Sequence, residues 1–332
     1  MHTTTVIQTL RPCAAPGTQP SVFYQDVVRG LSATPKHLDS KYFYDAEGDR
    51  LFQEIMRCKE YYLTDCEMEI MQEHAAAIAA SLTSQLAHFD LVELGPGDAT
   101  KSIHLLRQLL KTGASFTYYP IDISANVITQ LEKELPAKLP DLQLQGMNGE
   151  YFDMLQQVTA QSRHPKVLLF MGANIGNFTP AAARKFCRHL YHSMHPGDLL
   201  LVGFDLKKHP QVILSAYNDS AGITREFNLN LLRRINRELH ADFNPAMFEH
   251  YPVYDPGSGA CKSYLVSLQE QVVHIGDDVE VHFDLHEPIY MEISQKYSHD
   301  DIAQLAEQTG FEPVTEFRDH RQWFADCLWK RV

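Results

Sequence analysis

The stretch Leu91-Val92-Glu93-Leu94-Gly95-Pro96-Gly97-Asp98 decides the fold. Its apolar run stops at Leu94 and gives way to a turn in which Gly95 and Gly97 put no Cβ in the path of a tight bend or an approaching ligand. Beyond Thr100, the apolar residues Ile103, Leu106, Leu109 and Leu110 follow helical spacing. A buried strand, a glycine turn and a helix, in that order, leave free backbone N–H groups at the helix start. The expectation is a turn that holds a nucleotide-like cofactor.

Strand and helix signals alternate outward from this turn. Strands are expected at Phe89–Leu94, Ser115–Ile123, Gln143–Met147, Val167–Met171 and Leu199–Phe204. Helices are expected between them, one of them capped by Ser124. The alternation predicts an α/β fold with a parallel sheet and crossover helices. Upstream, Ser21–Leu31, Arg50–Arg57 and a long Asp65–Ser84 segment read as helices. The stretch 41–48 and the turn 60–64 are rich in aromatic residues. After Asp205, two helices (Val212–Tyr217 and Thr224–Leu239) lead into alternating antiparallel strands over Phe248–Met291, with Asp255-Pro256-Gly257-Ser258-Gly259 and Gly276-Asp277-Asp278 as turns. A helix at Asp300–Thr309 and mixed strand from Val314 to Trp329 close the chain. Residues 1–19 are polar, carry prolines and lack periodicity, which predicts a flexible arm.

The chain has 332 residues, room for about two domains. A net charge of −13 argues against binding nucleic acid or an acidic membrane surface. No apolar run approaches the roughly 20 residues of a membrane span, and no secretory leader pattern is visible. Six scattered cysteines without a C-x-x-C pair fit reduced thiols in a cytoplasmic protein. His189, His192 and His195 lack a companion carboxylate or thiolate and read as solvated histidines, so no metal is expected.

In an open α/β sheet, ligands sit outside the carboxyl ends of the strands. Glu93, Gly95, Gly97, Asp122, Glu150 and the run Gly172–Asn177 lie there, with Lys101 and Tyr151 completing the cofactor set. Asp122 suits the two hydroxyls of a ribose, and Glu150 the amino edge of an adenine. A dinucleotide-binding turn would carry a third glycine, but Thr100 stands in its place. Glu93 and Asp98 also make the turn acidic, which disfavours a polyphosphate. The acidic turn suits a cationic cofactor without phosphate, S-adenosylmethionine.

Several long motifs resemble the L-histidine Nα-methyltransferases of ergothioneine biosynthesis. They are Lys41-Tyr42-Phe43-Tyr44-Asp45-Ala46-Glu47-Gly48, Glu60-Tyr61-Tyr62, Gly172-Ala173-Asn174-Ile175-Gly176-Asn177-Phe178-Thr179-Pro180, Ala216-Tyr217-Asn218-Asp219, Ile235-Asn236-Arg237-Glu238-Leu239 and Met291-Glu292-Ile293-Ser294. The resemblance spans about residues 20–330. It implies a Rossmann-like class I methyltransferase domain (66–206 plus 295–332) and an α+β substrate-binding domain made from two chain segments (20–65 plus 207–294).

It also implies that Asn177 and Tyr217 hold the substrate carboxylate, and that Tyr44 and Gly172 lie near the amino group, with Tyr44 and Asn177 the catalytic pair. Tyr61, Glu292 and Ser294 would grip the imidazole ring. Taken singly, Tyr44 and Tyr61 would be ordinary half-buried aromatics, Asn177 a helix cap, and Glu292 and Ser294 a solvated strand face. Their joint occurrence in one family's motifs reverses that reading. Two positions depart from the family pattern. Glu150 stands where the family carries aspartate, and Ser263 stands where it carries a bulkier apolar residue, which leaves another aromatic amino acid conceivable as substrate. The expected activity is therefore conversion of L-histidine to its Nα-trimethyl betaine by a monomeric enzyme. The same transfer to another amino acid, or a non-catalytic S-adenosylmethionine-binding protein, are the alternatives.

Overall fold

The computed structural model describes residues 21–332, so the arm expected at 1–19 lies outside the described residues. The described chain divides into two compact units. Unit 1 comprises the described residues up to Tyr61, Pro210–Asp255 and Ala260–Ile293; unit 2 comprises Tyr62–His209, Pro256–Gly259 and Ser294–Val332.

Unit 1 begins with α1 (Val22–Leu31), capped by the Ser21 side chain, and α2 (Ala46–Ile55). Helix α2 starts four residues earlier than periodicity suggests, because the Asp45 carboxylate accepts the Gly48 N–H at 2.8 Å and caps it. In unit 2 the expected single helix over 65–84 is two: α3 (Tyr62–Glu73) and α4 (Ala75–Thr83), broken at His74, whose φ of −107° leaves the helical region. The apolar stripe could not announce this break. Leu63, Cys66, Ile70, Met71, Ala75, Ile78, Ala79 and Leu82 are all buried, and their i, i+3, i+4 spacing continues through it.

The sheet of unit 2 follows: β1 (His88–Leu94), α5 (Ser102–Lys111), β2 (Ser115–Asp122), α6 (Ala125–Lys138), β3 (Met147–Asn148), α7 (Tyr151–Gln161), β4 (Lys166–Phe170), α8 (Pro180–Ser193) and β5 (Leu199–Asp205). Ser124 caps α6, its side chain accepting the Val127 N–H at 3.4 Å. The third strand is far shorter than expected: the 143–145 segment only touches Tyr118, through a bridge at Leu144, and only Met147 and Asn148 pair with Ile121 and Asp122. In unit 1 the chain then forms α9 (Pro210–Ala216), α10 (Ile223–Leu239), β6 (Phe248–Asp255), β7 (Ala260–Ser267), β8 (Gln271–Ile275), β9 (Val279–Phe283) and β10 (Pro288–Gln295), whose last two residues belong to unit 2. Unit 2 closes with α11 (His299–Thr309), β11 (Phe311–Arg318) and β12 (Phe324–Arg331).

Seven strands of unit 2 form one sheet in the order β11-β12-β5-β4-β1-β2-β3. The five from β5 to β3 run parallel; β12 is antiparallel to both β5 and β11. Val92, Leu94, Phe170, Val202, Phe204 and Trp329 are buried members of one core on this sheet. Strands buried on both faces read as continuous apolar runs, which is why they were legible. Unit 1 has its own core, with Phe43, Phe227, Leu231, Phe248 and Met291 buried. It carries the three-stranded sheet β10-β7-β6 and the β8–β9 hairpin.

Candidate active site

In unit 2 the carboxyl ends of β1 and β4 are shaped by left-handed backbone. Gly95 (φ 72°), Gly97 (57°) and Ala99 (54°) follow β1; Gly172 (74°) and Ala173 (56°) follow β4. A Cβ on Gly95 would stand 2.8 Å from the Tyr151 hydroxyl, whereas one on Gly97 would meet nothing within 4 Å. Gly97 therefore faces open space that a bound molecule can enter. Asp98 shapes the turn by accepting from Thr100 N and Oγ1 at 3.1 and 2.8 Å.

The acids near this turn divide into two kinds. Glu93 is buried beneath it, and its carboxylate accepts from Ser102 Oγ and Tyr118 OH, both at 2.5 Å. Burial pushes the Glu93 pKa up against these two bonds. Asp122 and Glu150 instead stand at the ends of β2 and β3, where Asp122 accepts the Ser124 N–H at 2.8 Å. Tyr151 belongs with them: burial, with the charges of Asp122 and Glu150 close by, pushes its phenol up to about 12. These three sequence-expected residues thus gather at one place in unit 2.

Lys101 is held by an ion pair to Glu67, a fully buried acid of α3. The other Glu67 oxygen accepts the Gly172 N–H at 2.7 Å, so one carboxylate fixes both Lys101 and the turn after β4. Asp326 on β12 lies in register with Gly203 on β5, and a Cβ at Gly203 would be 2.5 Å from Glu67 and 3.2 Å from Asp326. The missing side chain makes room for both acids. Burial, with Glu67 adjacent, drives the Asp326 pKa well above the usual carboxylate range. Sequence reasoning missed this pair. The available signal was an ionisable residue inside the apolar run Phe324-Ala325-Asp326-Cys327-Leu328-Trp329.

Asn177 ends a short 3₁₀ turn (Asn174–Asn177) and is exposed. Thr179, not Asn177, caps α8, accepting the Ala182 N–H at 3.3 Å. Ser294 is buried, and its Oγ accepts from Lys296 Nζ at 2.7 Å. His189 stacks on Phe152 with ring centroids 3.7 Å apart, a packing role.

In unit 1 the three successive rings of the 41–48 motif take three different places. Tyr42 packs on Phe23 at 4.5 Å and donates to Asp26 at 2.6 Å; Phe43 is buried against Phe227 at 4.8 Å; Tyr44 is 48% exposed. Tyr44 meets Phe52 and Phe227 edge-on at 5.8 and 5.9 Å, Phe52 meets Tyr61 at 6.4 Å, and Tyr61 meets Tyr217 at 6.2 Å. Three phenols expected at the substrate site are thus linked through one aromatic cluster, with edge-to-face geometry that rings prefer. Asp45 is anchored to Asn230 at 2.8 Å and to Arg237 at 2.5 Å, which fixes the loop carrying Tyr44. Glu292 is half-buried on β10, and its charge helps burial raise the Tyr290 phenol to about 12. Ser263 is buried with its Oγ 3.4 Å from His250 Nε2, so its polar group has a polar neighbour inside unit 1.

A sheet in this order, with an antiparallel strand beside β5, a glycine turn after β1 and carboxylates closing β2 and β3, defines an S-adenosylmethionine-dependent methyltransferase of the Rossmann-like class I type. The open space at Gly97 and the acidic surroundings fit that cofactor. The chain belongs to the family of histidine-specific, SAM-dependent methyltransferases, whose profile matches residues 23–331.

Among its relatives, the histidine N-alpha-methyltransferase of Mycolicibacterium smegmatis is 35% identical over 285 residues, 85% of this chain and 87% of that protein. The enzyme of the same name from Mycobacterium tuberculosis is 34% identical over 274 residues, covering 82% and 84%. Ergothioneine biosynthesis protein 1 of Neurospora crassa is 29% identical over 289 residues, 85% of this chain but 32% of that longer protein. No helix of the described residues is long and apolar enough to cross a membrane.

Proposed function

We propose that this protein transfers methyl groups from S-adenosylmethionine to the α-amino nitrogen of L-histidine, continuing to the Nα,Nα,Nα-trimethyl betaine hercynine. Family membership over residues 23–331 carries the reading. Two local features support it: Asn177 is exposed and not spent as a helix cap, and the phenols of Tyr44, Tyr61 and Tyr217 lie in one aromatic cluster.

When bound, S-adenosylmethionine supplies an electrophilic methyl group on a sulfonium. Gly95, Gly97, Lys101, Asp122, Glu150 and Tyr151 hold it, and Glu93 supports the turn from beneath. The chain's remaining task is to present a neutral amine in line, and positioning alone can contribute about 7–11 kcal/mol in favourable cases. Asn177 and Tyr217 donate to the substrate carboxylate. Tyr44 and Gly172 face the amine, with the Tyr44 phenol able to accept the departing proton or pass it to water. Tyr61, Glu292 and Ser294 hold the ring. Glu292 and Ser294 stand two apart on β10 and point to the same side.

Incubating the full chain with S-adenosylmethionine and L-histidine, with mass spectrometry of the amino acid, tests the reading. Gains of one, two and three methyl groups are expected; no gain, or equal conversion of tryptophan or tyrosine, would sink it. Replacing Glu292 by Ala should weaken histidine binding by about tenfold or more while cofactor binding is kept. Equal losses for both ligands in calorimetry would remove Glu292 from the substrate site.

A further inference from the structure

The turn after β4 carries a half-buried amide, Asn174, whose side chain makes no hydrogen bond among the described residues. Gly172 and Ala173 are left-handed, with φ of 74° and 56°, and bring Asn174 back across the Gly172 Cα. A Cβ on Gly172 would lie 3.5 Å from Asn174 Nδ2 and 3.7 Å from Lys101 Nζ. A Cβ on Gly95 would lie 3.6 Å from the same Nδ2. The donor end of the amide therefore faces the bare glycines of both the β1 turn and the β4 turn. Gly172 is exposed, so the space left by its missing side chain is open to a ligand. All of these residues belong to unit 2.

Two nitrogen donors beside one exposed glycine suit a carboxylate, which has two oxygens to satisfy. Lys101 does not hold an anion there by charge alone. It is already paired with the fully buried Glu67, so much of its charge is spent before an anion arrives. The Asn174 amide brings two N–H donors and no net charge for Glu67 to cancel. S-adenosylmethionine bears a single carboxylate, at its amino-acid end. Asp122 and Glu150, at the ends of β2 and β3, suit the ribose and adenine at the other end.

We infer that Asn174 is a cofactor-binding residue whose amide N–H groups, together with Lys101, hold the α-carboxylate of S-adenosylmethionine. This rests on the reading of Lys101 as a cofactor contact.

The test is calorimetric titration of the full chain with S-adenosylmethionine and with decarboxylated S-adenosylmethionine, which keeps the sulfonium and the ammonium. The wild-type protein should bind the carboxylate-bearing form at least about tenfold more tightly. Asn174→Ala should weaken that form about tenfold and leave the decarboxylated form within about twofold. Asn174→Asp, nearly the same in shape, sets one carboxylate against another. It should weaken S-adenosylmethionine more than Asn174→Ala does and again spare the decarboxylated form. A turn that merely lost its shape would weaken both ligands alike. Should Asn174→Ala fail to fold, Asn174→Asp is read in its place.

Equal losses for the two ligands overturn the inference. So does wild-type affinity for S-adenosylmethionine in Asn174→Ala, or a wild-type protein that does not tell the two ligands apart. Lys101→Met separates this from the reading beneath it. If Lys101→Met leaves S-adenosylmethionine binding unchanged, Lys101 is not a cofactor contact; if Lys101→Met weakens it and Asn174→Ala does not, only the role of Asn174 fails.

Discussion

Glu67 and Asp326 are two buried acids whose surroundings differ, and the difference assigns their roles. Glu67 is balanced by Lys101 and by the Gly172 N–H; Asp326 lacks such partners among the described residues, and burial with Glu67 adjacent pushes its pKa well up. Asp326→Asn, which mimics the neutral acid, should leave S-adenosylmethionine affinity close to wild type. Glu67→Gln removes the anion that places Lys101. It should weaken the cofactor by about tenfold and lower stability on the order of 2 kcal/mol, a figure discounted because Lys101 is partly exposed. Calorimetry and denaturant midpoints on the two variants check this, and equal effects would contradict the assignment.

His250 offers a pH test of unit 1. Burial lowers its pKa from the ordinary 6.5 to about 4, so the folded state resists a proton that the unfolded state accepts. Stability from this group is complete above pH 6.5 and is lost as pH falls toward 4, by up to roughly 3 kcal/mol. Urea midpoints for the wild type should drop between pH 7 and pH 4 more steeply than those for His250→Gln.

Among the elements, the β1–α5 turn separates backbone strain from ligand contact. Gly97 and Gly113 both sit at positive φ, 57° and 73°, and a Cβ on either meets nothing within 4 Å. Alanine at each should lower stability by about 1–2 kcal/mol through strain alone. Only Gly97→Ala should also weaken S-adenosylmethionine, because its added methyl projects into the cofactor's place. Similar affinity in the two variants would move the cofactor away from this turn. That turn was legible because an apolar strand, two glycines and a helical stripe agree locally. The β1, β2, β4 and β5 strands were legible as apolar runs, and the α6 cap as Ser124 before a periodic segment. The break at His74 was not, since the buried stripe runs through it in phase. The shortening of β3 was not either, because Gln143–Met147 carries an alternation that tertiary pairing does not use. At the site, the motif residues could be named from the sequence. The buried ionisable groups Glu67, Asp326, Asp205 and Lys296 are far apart in the chain and become neighbours of one another or of the turn after β4 only when the sheet forms.

At the scale of the whole molecule, the chain passes between the two units at Tyr62, Pro210, Pro256, Ala260 and Ser294. Neither unit is a continuous piece. Strands β6 and β7 belong to unit 1 while the Pro256–Gly259 turn that joins them belongs to unit 2, and β10 continues from unit 1 into unit 2 at Ser294. Unfolding of unit 2 therefore frees the turn that sets the β6–β7 register and the end of β10, which removes constraints on which unit 1 depends. The expected outcome is one cooperative transition even though there are two cores. Each unit carries its own reporter. Both tryptophans, Trp323 and Trp329, lie in unit 2, and Cys261, buried on β7, lies in unit 1. Tryptophan fluorescence and alkylation of Cys261, the latter followed by peptide mass spectrometry, should give the same urea midpoint. S-adenosylmethionine at one hundred times its dissociation constant should raise both together, by about 2.7 kcal/mol. A cofactor-induced shift in the fluorescence midpoint that leaves Cys261 alkylation where it was would show that the interleaved chain does not couple the two cores.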